Sequence, residues 1–169
     1  MQPGHPARQD YEYERCGTAN LFMVFEPLAG QRHVKVTDQR TNADLAVVLR
    51  EVAEVTYADA DKIVLVMDNL NTHKLAVLYH VYPPEEARRL YERFEIHHTP
   101  KHASWLNMAE TELSVLSRQC LDRRIADQAL LRREVAAWAS KRNRAQVRVN
   151  WQFTTAAARI KLKRLYPKL

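Results

Sequence analysis

The run Lys62-Ile63-Val64-Leu65-Val66-Met67-Asp68-Asn69 constrains this chain more than any other stretch. Its five consecutive apolar residues, three of them β-branched, are too few for a helix that must bury a stripe, and they read as a strand covered on both faces. Asp68 then stands at the carboxyl end of that strand. In open α/β sheets this is the edge where ligands bind, because the strands stop there and the loops leave a crevice. A carboxylate delivered to it has two readings: with Asn69 it closes a strand-to-loop turn, or it helps to hold a metal or phosphate group.

The flanking segments supply the rest of an α/β unit. Asn20 to Glu26 reads as a strand, residues 27–31 around Gly30 as a turn, and Arg32 to Thr37 as a second strand that alternates His33 and Lys35 with Val34 and Val36; together they make a hairpin. Thr41 and Asp44 have capping-box spacing, and Leu45, Val48, Leu49, Val52 and Val55 follow with helical period, so a helix of about three turns is predicted to pack on the sheet. Hairpin, helix and strand in that order imply a mixed sheet. Lys74 to Tyr82 reads as a short helix cut at Pro83-Pro84. Pro84 with Glu85 and Glu86 opens the next helix, whose stripe is Ala87, Leu90, Tyr91 and Phe94, and Glu95 to Thr99 is a strand stopped by Pro100.

From Ser104 to about Leu121 a helix places Leu106, Ala109, Leu113, Leu116 and Cys120 on one side. A polar stripe of Asn107, Glu110, Ser114 and Ser117 lies beside it. Asp127 caps a further helix with Leu131, Val135 and Trp138 inward. Val147, Val149, Trp151 and Phe153 then alternate as an extended piece, and Arg159, Lys161, Lys163 and Arg164 lie on a basic final helix. Pro3, Gly4, Pro6 and Gly17 make the opening an extended arm. The expected organisation is one domain: arm 1–18, core 19–121, and a helical basic extension 122–169. A length of 169 residues suffices for one such core.

A net charge of +6 and a pI near 9.5 favour a polyanionic partner. Cys16 and Cys120 have no paired spacing of the zinc or redox kind, which suits a reducing cytoplasm. With no run of membrane-spanning length and no secretion signal, a cytoplasmic, nucleoid-associated protein without a membrane partner is expected.

Two segments sharpen this reading: Asp68-Asn69-Leu70-Asn71-Thr72-His73, and Thr99-Pro100-Lys101-His102-Ala103-Ser104-Trp105-Leu106-Asn107-Met108-Ala109-Glu110. They resemble two motifs of DDE transposases of the mariner-related superfamily, in a bacterial insertion-sequence branch. There an Asp-Asn pair ends the fourth strand of a ribonuclease H-like fold, and the last acid follows in a Leu-Asn-x-x-Glu pattern. The likeness continues through Asp10-Tyr11-Glu12-Tyr13-Glu14-Arg15, Gly17-Thr18-Ala19-Asn20-Leu21, Pro83-Pro84-Glu85-Glu86-Ala87-Arg88 and Trp151-Gln152-Phe153-Thr154-Thr155, and so spans nearly the whole chain.

The resemblance implies an α/β ribonuclease H-like domain in which two Mg²⁺ or Mn²⁺ ions, held by three carboxylates, cut DNA at the element ends and join the freed 3′ end to target DNA. Asp68 and Glu110 would be catalytic metal ligands. Asn69, Asn107 and His73 would support them, and Lys101, His102 and Trp105 would touch DNA. Each also has a plainer role: His73 as a turn residue, Trp105 as a core plug beside Leu106, Lys101 as a solvated cation. Glu112 competes for the role of Glu110 but points about 200° around the helix from it, so the two cannot serve one site. The basic end, Arg159 to Lys168, would follow the DNA backbone or form a solvated face.

The family also carries a first Asp on a first strand, upstream of the Asp10-Tyr11-Glu12-Tyr13 segment, and a helix-turn-helix region before it. Asp10, in a polar arm, is a poor substitute. The expectation is therefore a fold incomplete at its amino edge: one portion of a split, frameshifted or truncated transposase, working as a homodimer or with a complementing upstream portion. A noncatalytic DNA-binding or regulatory remnant is the alternative.

Overall fold

The computed structural model describes residues 17–68, 75–99, 107–161 and 163. Strands β1 (Asn20–Glu26) and β2 (Gln31–Thr37) form the expected hairpin, paired antiparallel from Asn20↔Thr37 to Glu26↔Gln31. Gly30 closes its turn at φ +67°, a conformation that only a residue without a Cβ adopts freely, and its N–H donates to Glu26 O at 2.9 Å. Helix α1 (Asn42–Glu51) begins as predicted: Thr41 accepts from the Asp44 N–H, and Asp44 accepts from the Thr41 N–H at 2.8 Å. It continues as a π-helical turn, Val52–Thr56.

Strand β3 (Ile63–Met67) pairs in parallel with β4 (Phe94–His98). Between them a 3₁₀ turn (Leu75–Val77) runs into α2 (Leu78–Val81), and α3 (Pro84–Glu92) starts at Pro84. Phe94, expected on the stripe of α3, instead opens β4, and Tyr91 is exposed. After β4 come α4 (Met108–Leu116) with a π turn (Ser117–Leu121), α5 (Gln128–Arg144) capped by Asp127 through the Leu130 N–H at 2.7 Å, and α6 (Thr155–Lys161). The segment carrying Val147, Val149, Trp151 and Phe153 is irregular rather than a strand. This is the α/β, ribonuclease H-like architecture expected, with its strands in two small sheets among the described residues.

Strand alternation divides the hairpin between two layers. Phe22 and Val24 pack on one core with α1, α2, α3 and the inner faces of β3 and β4, through Leu49, Leu78, Leu90, Ile63, Leu65 and Ile96. Leu21, Met23, Val34 and Val36 pack on a second core with α4 and α5, through Leu113, Leu116, Val135 and Trp138. The expectation that β3 is covered on both faces is not met. Val64 is 63% and Val66 51% exposed, because α4 and α5 pack on the hairpin and β3 has one neighbouring strand among the described residues.

The second layer is fixed by a buried charge cluster. Glu112 of α4 is 1% exposed; its Oε1 lies 2.8 Å from Arg32 Nε of β2 and accepts from Arg142 Nε of α5 at 2.9 Å. The Arg32 contact is one of charge on charge rather than a well-aligned hydrogen bond. Arg32 also donates through Nη1 to Asn143 Oδ1 at 3.0 Å and through Nη2 to Val147 O at 2.7 Å, while Asn143 Nδ2 donates back to Arg32 O at 2.8 Å. Both guanidinium groups stack on Trp138, at 5.9 and 5.2 Å from its ring centre. Burial lowers the pKa of Arg32 and Glu112 opposes that shift.

Removing one partner of such a cluster strands buried charge. Glu112→Gln should cost about 3 to 5 kcal/mol in a urea unfolding series. Glu110→Gln, at an exposed position, should stay within about 0.5 kcal/mol of the parent.

The hairpin turn leans on the end of α5 just as closely. A Cβ at Gly30 would lie 2.7 Å from the Gln146 carbonyl carbon. Clash and positive φ together should make Gly30→Ala destabilising by roughly 1 to 3 kcal/mol in the same unfolding series.

On the other face Tyr57 donates to Glu26 Oε2 at 2.9 Å, and burial followed by this carboxylate raises the phenol from its ordinary 10 to about 12. The fold therefore favours the neutral phenol: that stability is present below pH 10 and is lost as the pH rises toward 12. Tyr57→Phe should lower stability at neutral pH by about 1 kcal/mol and flatten the alkaline part of the stability profile.

Candidate active site

Asp68 follows directly on the last paired residue of β3. Met67 faces His98 in the parallel register, and the Thr99 N–H donates to Met67 O at 2.9 Å, so the two strands end side by side. The acid thus stands half-buried at the carboxyl edge of a parallel pair, where backbone pairing ends and a ligand can enter.

Helix α4 supplies the second acid. Asn107 is its N-cap: Asn107 Oδ1 accepts from the Ala109 N–H at 3.0 Å, and the Glu110 N–H donates to Asn107 O at 3.1 Å. The side-chain oxygen of Asn107 is therefore engaged in capping, and its amide N–H groups remain as donors. Glu110 lies in the first turn, where the positive end of the helix dipole favours a carboxylate. It is exposed with Ser114 and Ser117, as the polar stripe requires, whereas Leu116 and Cys120 are buried. With Glu112 pinned inward, Glu110 is the outward acid of this helix.

Asn69, His73, Lys101, His102 and Trp105 lie outside the described residues. Among the described residues no group of three or more His, Cys, Asp and Glu side chains is placed to hold a metal. Asp68 and Glu110 nevertheless match in kind what a hard divalent ion takes from a protein: carboxylate oxygens, one or two of them, with water and substrate oxygens completing the shell. The donor chemistry fits such an ion.

Arg32, Arg142 and Asn143 are the residues that sequence reasoning missed, since it weighed Glu112 only as a rival to Glu110. A signal was available. Glu112 falls four residues after Met108 and four before Leu116, with an apolar side chain on each side of it around the helix, and a buried acid requires a buried cation.

No described helix is long and apolar enough to cross a membrane. Residues 1–132 match the family model described as DDE superfamily endonuclease; no curated protein and no solved structure matches the chain. The match runs through both Asp68 and Glu110 and ends within α5. Membership implies a DNA substrate and nuclease chemistry of a kind that generally uses divalent metal ions. By this match, and by an α/β fold that sets an acid at the end of β3, the chain belongs to the DDE superfamily endonucleases.

Proposed function

We propose that this chain is the catalytic portion of a transposase of the mariner-related, insertion-sequence type, and that Asp68 and Glu110 are two of its three metal-binding carboxylates. The observation that carries this is the rotational setting of α4: the buried pairing of Glu112 turns Glu110 outward in the turn capped by Asn107. The strand end gives Asp68 a fixed backbone, and the helix cap gives Glu110 one. Rigid mounting of this kind is what metal-assisted phosphodiester cleavage needs from its carboxylates.

When bound, Mg²⁺ or Mn²⁺ ions supply activation of the attacking water or hydroxyl and stabilise the leaving oxygen. The protein's part would be to hold those ions through the carboxylates of Asp68 and Glu110, facing the scissile phosphate, and to offer the Asn107 amide as a donor to a substrate oxygen. The same arrangement serves hydrolysis at the element end and attack by the freed 3′ hydroxyl on target DNA. Asn69 and His73 would support Asp68, and Lys101, His102 and Trp105 would contact DNA beside Glu110.

The first carboxylate, in this reading, arrives on a strand that lies between β1 and β3 and is not among the described residues. β1 and β3 both lay side chains on the α1 core, Phe22 and Val24 from one and Ile63 and Leu65 from the other, yet each pairs with a single strand there. A strand between them would satisfy both edges; a buried, unpaired edge group costs about 1 to 3 kcal/mol. An upstream transposase portion, in the same polypeptide or a second one, is the source we infer, with a homodimer as the working assembly.

The test uses plasmid DNA carrying the genomic flanks of this gene, with Mn²⁺. The chain by itself should not nick it. Addition of the upstream portion should restore cleavage, and Asp68→Asn or Glu110→Gln should then each lower the rate by more than about a hundredfold while Glu110→Gln leaves folding intact. Cleavage that survives either substitution would remove those acids from the site; no cleavage under any complementation would favour the noncatalytic remnant.

A further inference from the structure

The formal charge of this chain is unevenly distributed. Residues 118–169 hold 14 Lys and Arg against 3 Asp and Glu, a balance of +11, whereas residues 1–117 hold 12 against 17, a balance of −5. The fold deepens this contrast. Among the described residues of the first part most cations pair with acids: Arg32 with Glu112, Lys35 with Glu51, Arg50 with Glu54 and Glu86, Arg88 with Glu92, and Arg89 with Glu54.

Helix α5 sorts its cations by face. Val135 and Ala139 are buried, Leu131 and Trp138 pack on the second core, Arg142 reaches Glu112, and Arg132 pairs with Asp38 at 3.1 Å. Arg133, Ala137, Ser140, Lys141 and Arg144 fall on the opposite arc, within about 100° by helical geometry, and all are exposed. Among the described residues, Arg133, Lys141 and Arg144 have no ion pair. The one acid of the helix, Glu134, is off this arc and paired with Arg123. Ala137 and Ser140 keep the surface between the cations low, so a flat or convex polyanion can approach the helix closely. From Arg133 to Arg144 the arc runs about 16 Å, long enough to meet successive phosphates of one strand.

We infer that this arc of α5 is a sequence-independent docking surface for the phosphate backbone of duplex DNA, separate from the carboxylate site. It rests on DNA being the substrate of this domain, but it is carried by a different observation: three exposed cations without an ion pair among the described residues, gathered on one face of one helix, while Arg132 and Arg142 on its other faces are paired. Contacts of this kind position a duplex without reading its sequence. They would hold DNA outside the cleavage point, so that Asp68 and Glu110 engage a duplex already anchored.

The experiment measures binding of a fluorescent random-sequence duplex to the full chain by anisotropy, from 50 to 200 mM NaCl. Each phosphate contact contributes about 0.9 to the slope of log K against log salt. The triple change Arg133→Gln, Lys141→Gln, Arg144→Gln should therefore reduce the slope by about 2 to 3 and weaken binding at least tenfold near 0.1 M salt. Arg133→Lys with Arg144→Lys keeps the charge and should keep the slope, as should the equal charge loss in Lys62→Gln, Arg88→Gln, Arg89→Gln on the other layer. A melting curve for each variant separates lost contact from lost folding.

An unchanged slope in the folded triple variant would overturn the inference, as would equal losses in the control triple. So would a loss confined to phosphatidylserine vesicles with duplex binding intact. Cleavage by the chain complemented with its upstream portion is measured alongside: loss of cleavage in Asp68→Asn reads the carboxylate site, and the salt slope of the α5 triple variant reads the docking surface, so failure of one is distinguishable from failure of the other.

Discussion

A buried carboxylate held between two arginines sets the frame of this molecule. Glu112, Arg32 and Arg142 come from α4, β2 and α5, and none of the three could be buried alone, since an isolated ion in an apolar interior costs several kcal/mol even after relaxation. Together, with Asn143, the Val147 carbonyl and the face of Trp138 taking up the remaining donors, they form a joint that permits one rotation of α4 against the hairpin. Apolar packing of Leu113, Leu116 and Val135 would tolerate small rotations of the helix; an ion pair with fixed donors does not. Since α4 also carries Glu110, a structural charge cluster on the inward face determines where the outward acid stands.

The hairpin is the element that both layers share. Its alternating side chains seat the α1–α3 core on one face and the α4–α5 core on the other, and its turn is held against the end of α5 by Gly30 and Arg32. The β3–β4 pair, in contrast, is covered on the α1 side and open at Val64 and Val66. The acid at the end of β3 is therefore built into the less completed half of the fold, and the acid on α4 into the more tightly fastened half.

Most of what was legible in the sequence is local. The Thr41 and Asp44 pair caps α1, Asp127 caps α5, Pro84 opens α3, and the hairpin closes at Gly30, because each is decided by residues a few positions apart. The polar stripe of α4 was legible for the same reason; the proposal of Asp68 and Glu110 as site carboxylates came from the resemblance of their motifs. What was not legible depends on layers rather than periods. An apolar run at residues 63–67 says that its side chains can be buried, not that a second layer lies over them, so the exposure of Val64 and Val66 could not be read from it. The joint at Glu112 needs Arg32 and Arg142, distant in sequence, to meet; only the acid set between apolar residues of α4 hinted at it. The sorting of the α5 cations likewise depends on which of them the fold neutralises.

The central claim is that Asp68 and Glu110 face one divalent ion. Anomalous scattering from crystals of the chain grown with Mn²⁺, in the presence of its upstream portion, tests it most directly. A manganese peak within bonding distance of both carboxylates, with Glu112 still buried against Arg32 and Arg142, is the expected result. Manganese bound elsewhere, or the two acids on separate surfaces with no ion between them, would contradict it.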